Sequence, residues 1–428
     1  MLKDLRNRHL SGMIGGQVAI CSAHPRVLAA AAARAKNDGT LLLVEATANQ
    51  VNLSGGYTGM TPAHFADRVA RQAADTGLAR KQILLGADHL GPHLWRELPA
   101  FKAMVQAEAL TRAYVAAGFR KLHLDTGRGC ADDTRDRLPV KIAAQRAAEL
   151  CRAAEATASR LCRQPPWYVI GTEVPAPGGA LGKNKTVAVT DPQDLMAELA
   201  HYKKAFNRSG VDKAWERVVA VVVQPGIDFD DHQAAAYDSQ AATAISAFHQ
   251  QLPDAMTFEI HAADYQSPSA LKKMVGDHFT LLKIGPCLTF ALREALFALA
   301  HIENEIPGLT HRSNLMAVMA QLMHNHPKHW ITHYHGSEQE LRFLQRYSLR
   351  DRIRYYWPRA EARQACEQLM YNLRHPIPQP LLQQFLPDIA GSITSGSLPP
   401  TSAAILEIRI QSALNPYAEA CLNPAGYE

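Results

Sequence analysis

Asp88 and His89 stand side by side at the end of an apolar run, Ile83-Leu84-Leu85-Gly86-Ala87, and Leu90-Gly91-Pro92 then turns the chain. A carboxylate beside an imidazole can move a proton next to a carbonyl, or hold a metal that polarises one. Adjacent strand residues face opposite sides, but that alternation relaxes where a strand frays into a loop, so both side chains can reach one pocket. The pair alone is equally compatible with a structural role, Asp88 capping the next segment and His89 filling a polar niche. Repetition decides between the two. Other short apolar runs end in the same kind of group: His24 after 17–21, Glu45 after 41–44, Asp125 after 121–124, Glu173 after 167–171 and His261 after 257–260. Buried charges are costly unless paired, so packing alone does not explain six such strand ends, whereas a functional site does.

The elements that must carry these tips recur as a unit: an apolar run, a polar tip, a turn, then an Ala-rich amphipathic helix. Thr61-Pro62 reads as N-cap and first helical residue, with Phe65, Val69 and Ala73 on one face and Gly77 as the stop. Further strands are expected at 83–87, 218–223 and 279–284. Eight continuous apolar strands alternating with helices call for a parallel sheet covered on both faces. The expected fold is an α/β TIM (β/α)8 barrel over residues 1–303, with a C-terminal helical extension over 304–428 packed on it. The working end of such a barrel is the C-terminal end of its strands. A doubly wound open sheet is the alternative, but no GxGxxG follows the first strand.

Composition narrows the function. The chain has 428 residues, 47% of them hydrophobic, and a net charge of +5 with no Lys/Arg block, which disfavours nucleic acid and leaves room for small anionic substrates. Seven scattered cysteines without a CxxC pair point to reduced thiols in the cytoplasm. No uncharged stretch is long enough to span a membrane. No GxxxxGK[ST] is present, so a P-loop kinase has little support.

His89 and His261 suit a divalent-metal site, Zn²⁺ first and Mn²⁺ as the alternative, with Glu173 as third ligand; a metal-free polar pocket stays open. Gly285-Pro286-Cys287-Leu288-Thr289 before a helix is a candidate phosphate cradle, with Arg293 one turn on; an ordinary turn is the other reading. His24, Asn49, Gln224 and Asp264 lie at or just beyond strand ends and are candidates for contacts to a sugar or its phosphate. Five histidines from His324 to His335 fit no specific metal spacing and read as a solvated face. Asp351-Arg352-Ile353-Arg354-Tyr355-Tyr356-Trp357 is expected to close over the barrel mouth or to form an oligomer contact.

The motifs Cys21-Ser22-Ala23-His24-Pro25, Gly55-Gly56-Tyr57-Thr58-Gly59-Met60-Thr61-Pro62, Asp88-His89-Leu90-Gly91-Pro92, Ile170-Gly171-Thr172-Glu173-Val174-Pro175 and Asp351-Arg352-Ile353-Arg354-Tyr355-Tyr356-Trp357-Pro358 resemble the Z subunits of D-tagatose-1,6-bisphosphate aldolase. The resemblance covers nearly the whole chain. It implies a TIM barrel in ketohexose-phosphate catabolism, and one of two activities. Some members are D-tagatose 6-phosphate 4-epimerases; others are non-catalytic partners that stabilise a class II aldolase subunit. Thr126-Gly127-Arg128-Gly129 and Ile260-His261-Ala262-Ala263 depart from the aldolase-partner pattern at the barrel mouth.

The leading expectation is a metal-dependent 4-epimerase interconverting tagatose 6-phosphate and fructose 6-phosphate. C4 is not adjacent to the C2 carbonyl, so inversion requires cleavage and re-formation of the C3–C4 bond. Asp88 is the expected acid/base, assisted by Asp125 or Glu45. His89, His261 and Glu173 hold the metal, and Arg293 or the backbone after Gly285 holds phosphate. The alternative is the partner subunit, bound to a class II aldolase. A homo-oligomer is expected in either case, with neither nucleic acid nor membrane as partner.

Overall fold

The computed structural model describes residues 2–134, 137–172, 187–253 and 255–422. Eight parallel strands close into one barrel in sequence order, β1 pairing with both β2 and β8. They are β1 Gln17–Ile20, β2 Leu42–Thr47, β3 Ile83–Leu90, β4 Lys121–Leu124, β5 Trp167–Ile170, β6 Val218–Val222, β7 Thr257–Ile260 and β8 Leu281–Ile284. All eight expected strands are present, so the TIM barrel with helical extension holds and the open sheet does not.

Local chemistry sets the helix starts. Thr61 and Asp191 cap Pro62–Thr76 and Pro192–Arg208, their side-chain oxygens accepting N–H groups of the first turn. Gly77, in the left-handed region at φ 75°, ends the first of these helices as expected. Alanine faces let the outer helices lie close to the strands: Ala144, Ala147, Ala148 and Ala154 of Val140–Arg160 are fully buried.

The C-terminal helices fasten onto the barrel rather than standing apart. The last helix, Ser402–Cys421, lies against the base and side: Gly16 N–H donates to Cys421 O at 2.9 Å and Tyr417 Oη donates to Ala263 O at 3.1 Å. Arg352–Tyr356 forms a 3-10 segment that brings Arg354 and Tyr355 to the barrel mouth. His329, expected in a solvated face, instead stacks on Tyr355 with ring centres 4.9 Å apart.

Two elements run longer than the sequence suggests. β2 continues to Thr47, so Glu45 lies inside the strand and not at its tip. β3 continues to Leu90 through a register shift between Ala87 and Leu90. Asp88 and His89 therefore share one pocket because of a bulge, with His89 at φ 52°, and not because the strand frays.

Candidate functional site

Inside the barrel, one layer below the mouth, sits a buried ionic triad. Lys121 on β4 donates to Glu45 of β2 and forms an ion pair with Glu259 of β7, 2.7 Å from its Oε2. All three side chains are essentially inaccessible. Gly86, paired in register with Glu45, leaves the room: a Cβ there would meet Glu45 Cγ at 2.8 Å. Burial opposes the charge on Lys121, but the two carboxylates outweigh it and keep the ammonium protonated. Burial also opposes ionisation of Glu259, yet Lys121 and His261 hold its carboxyl well below the usual range, while Glu45 is pushed up by burial and by Glu259.

Above this layer three imidazoles meet at the mouth, each oriented by its own carboxylate. His89 Nδ1 lies 2.9 Å from Asp125 Oδ2, His123 Nδ1 lies 2.8 Å from Asp88 Oδ1, and His261 Nε2 lies 3.0 Å from Glu259 Oε1. Their ring centres are 5.0 to 5.4 Å apart. Lys283 on β8 enters the middle: its ammonium donates to Asp88 Oδ2 and stands 3.3 Å from His89 Nε2 and 3.4 Å from His261 Nδ1. Burial works against an ionised Asp88, but His89, Lys283 and the His123 bond hold it well below the ordinary carboxylate range. Burial and the neighbouring Lys283 lower His261 to about 3, so it is neutral and its Nδ1 is a lone-pair donor. Asp125, likewise buried, is held ionised chiefly by His89.

These residues fit a divalent cation. Each mouth imidazole has one nitrogen fixed by a carboxylate, the usual outer support of a metal ligand. Asp88, His89 and His123 offer ligand atoms within 4.8 Å of one another, and His123 Nε2 is buried with no partner among the described residues. The set expected from the sequence was His89, His261 and Glu173. His89 and His261 come together, and Glu173 lies outside the described residues. An ammonium already sits where Asp88, His89 and His261 converge, so an ion on those donors requires Lys283 to withdraw.

A cavity of about 610 Å³ opens over this cluster, walled by Asn49, Gln50, Tyr57, Asp264, Arg354 and Tyr355 among others. Asn49 and Asp264 therefore line the mouth cavity, and His24 lines an adjoining one. Glu45 is one layer too deep to touch a ligand. Three phosphate expectations are corrected. The Asp264 carboxylate already accepts the N–H groups of Gly285 and Cys287, at 3.0 and 2.8 Å, so the backbone after Gly285 is no free cradle. Arg293 is buried away from the mouth, donating to Asp351 at 3.1 Å and lying 4.1 Å from the Phe290 ring centre. Gln224 folds onto its own loop, accepting the N–H groups of Gly226 and Ile227, and does not line the cavity.

Sequence reading missed Lys283, His123, Lys121 and Glu259, and placed Arg354 only within a segment expected to close over the mouth. The first four sit within apolar runs that read as core strands. The signal was the run itself: a Lys or Glu amid inward-facing aliphatics must find an opposite charge inside the barrel.

Fold and site together define a (β/α)8-barrel protein with a cation-and-carboxylate centre at the strand ends, suited to managing charge on a carbonyl oxygen. Residues 2–422 match the model of the D-tagatose-1,6-bisphosphate aldolase subunit GatZ/KbaZ-like family. The D-tagatose-1,6-bisphosphate aldolase subunit GatZ of Salmonella enteritidis PT4 is 44% identical over 421 residues, 98% of this chain and 99% of its own. That of Salmonella agona is 43% identical over the same span. A crystal structure described as a probable tagatose 6 phosphate kinase from Sinorhizobium meliloti 1021 superposes with a TM-score of 0.87 at 42% identity, over 95% of this chain and 100% of that one. The chain belongs to the GatZ/KbaZ-like family. No helix among the described residues is long and apolar enough to cross a membrane.

Proposed function

We propose that this protein is the Z-type subunit of a D-tagatose-1,6-bisphosphate aldolase, working beside a class II aldolase subunit, and that its own barrel mouth binds a ketohexose phosphate. The observation that carries the reading is 44% identity, over 98% of this chain and 99% of the other, to a protein named as that subunit. The site adds chemistry. In aldol cleavage of a ketose the C4 hydroxyl loses its proton, the C3–C4 bond breaks, and its electron pair moves to the C2 carbonyl oxygen to give an enediolate. Lys283 lines the cavity and is the cation beside the developing oxyanion, while Asp88, buried beneath it with its oxygens held by His123 and Lys283, keeps that ammonium charged and in place. A divalent ion held by Asp88, His89 and His123 or His261 would supply the same polarisation.

The intact Asp88–Lys283–histidine cluster favours a second reading, a 4-epimerase that breaks and re-forms that same bond in a ketohexose 6-phosphate. One experiment separates the two. The purified chain is incubated alone with fructose 6-phosphate, chelated and then resupplied with Zn²⁺ or Mn²⁺. The subunit reading expects no tagatose 6-phosphate and a stable complex on co-purification with a class II aldolase. Metal-dependent tagatose 6-phosphate from the lone chain overturns it in favour of the epimerase.

A further inference from the structure

Beside the mouth cavity lies a second chamber of about 710 Å³, which shares Cys21, Gln50, Tyr57, Gly285 and Arg354 with it. Its charge is one-sided. Arg68 of the helix Pro62–Thr76, Arg354 of the 3-10 segment and Arg363 of the helix Ala360–Asn372 all line it, and no carboxylate does among the described residues. Arg68 and Arg363 make no ion pair and no side-chain hydrogen bond among the described residues. Buried Arg146 and half-buried Arg217, by contrast, are paired with Asp133 and Glu155. Trp357 also lines the chamber; it is 5% exposed, and its indole N–H is buried without an acceptor. Arg354 already donates to the Arg350 and Asp351 carbonyls and the Tyr355 hydroxyl, so Arg68, Arg363 and the orphaned Trp357 donor are the groups left without acceptors, and the three like charges around one space repel one another until an anion enters.

We infer that this chamber is a phosphoryl-binding subsite, with Arg68, Arg354 and Arg363 as its cationic contacts and the Trp357 indole as a neutral donor. Planar guanidinium forks match phosphate oxygens in pairs, which favours a phosphoryl group over a carboxylate or a halide. The subsite takes the role that Arg293 and the Gly285 backbone do not fill. It rests on the reading of the mouth as a ketose-phosphate site only for which molecule supplies the phosphoryl group: the ketose whose carbonyl meets Lys283, or a separate phosphate.

The test is the thermal midpoint of the full chain titrated with inorganic phosphate at constant ionic strength, chloride making up the balance. The wild type is expected to gain stability from phosphate. Arg68→Gln and Arg363→Gln should each weaken the apparent affinity about tenfold, the loss of one charge-assisted bond pair. Trp357→Phe, which keeps the ring, should weaken it less. Arg71→Gln, exposed one turn along from Arg68, should match the wild type. A phosphate response no larger than that of chloride, or an unchanged response in Arg68→Gln and Arg363→Gln, overturns the subsite. Competition identifies the source. Fructose 6-phosphate displacing inorganic phosphate means that one molecule spans both cavities, and simultaneous binding of the two means a separate phosphate; either outcome supports the subsite. The readout needs no aldolase partner, so a failed complex leaves it standing.

Discussion

Two groups of three histidines lie at opposite ends of this barrel, and they are built differently. At the mouth, His89, His123 and His261 each carry a carboxylate on one ring nitrogen. At the base, His9, His249 and His278 meet one another instead. His9 Nδ1 lies 3.0 Å from His278 Nδ1, the His249 and His278 rings stack at 4.5 Å, and both nitrogens of His249 are buried without a partner. The carboxylates fix the tautomer and aim of the mouth rings, turning their free nitrogens into donors toward Lys283 or a metal. No carboxylate is hydrogen-bonded to a base ring among the described residues, His9 Nε2 meeting the Gly15 backbone instead; burial lowers all three, His249 to about 3, and they pack as neutral aromatics. Clustering of histidines thus says little about function, and the partner of each second nitrogen says much.

The comparison breaks most visibly at Asp88. Asp88→Ala strands the Lys283 ammonium in the barrel, and we expect a loss of about 3–5 kcal/mol in urea unfolding. Adding Lys283→Met should recover much of that loss, because the double variant buries no lone charge. If Asp88→Ala unfolds like the wild type, the ionic core drawn here is wrong. Next in size is Asp125→Asn, which removes the support of His89 without touching its free nitrogen. Zn²⁺ affinity by competition with a chelator should fall about 10- to 100-fold. An unchanged affinity would take His89 out of the metal set.

The smallest effect belongs to the base. His249 is neutral in the fold, while the unfolded chain takes up its proton near the ordinary value of about 6.5. Its contribution to stability is therefore complete above about pH 6.5 and is lost as pH falls from there toward about 3. At pH 5 the loss amounts to at most about 2 kcal/mol. His249→Phe should flatten the fall in thermal midpoint between pH 7.5 and pH 5; a slope identical to that of the wild type would show that His249 is not the group concerned.

The barrel was legible because apolar runs and turn residues repeat: Thr61-Pro62 and Gly77 mark one helix at both ends, and each of the eight runs became a strand. Asp88, His89 and His261 were legible because they interrupt the apolar pattern at its edge. The inner charges were not, since Lys121, Glu259 and Lys283 each hide within a strand and declare their partners only once the barrel closes. Arg293 misled for the opposite reason. Its place one turn into a helix after β8 suggested phosphate, but the partner that holds it, Asp351, comes from the distant C-terminal segment. That same segment supplies Arg354, and its mixture of charged and aromatic residues is what suggested a place over the mouth.

The most direct test of the account is cleavage of D-tagatose 1,6-bisphosphate by a class II aldolase subunit, measured with and without this chain. The account predicts that the two proteins elute as one complex and that cleavage rises or persists longer when this chain is present. Separate elution with no change in cleavage, together with tagatose 6-phosphate formation by this chain alone, would contradict it.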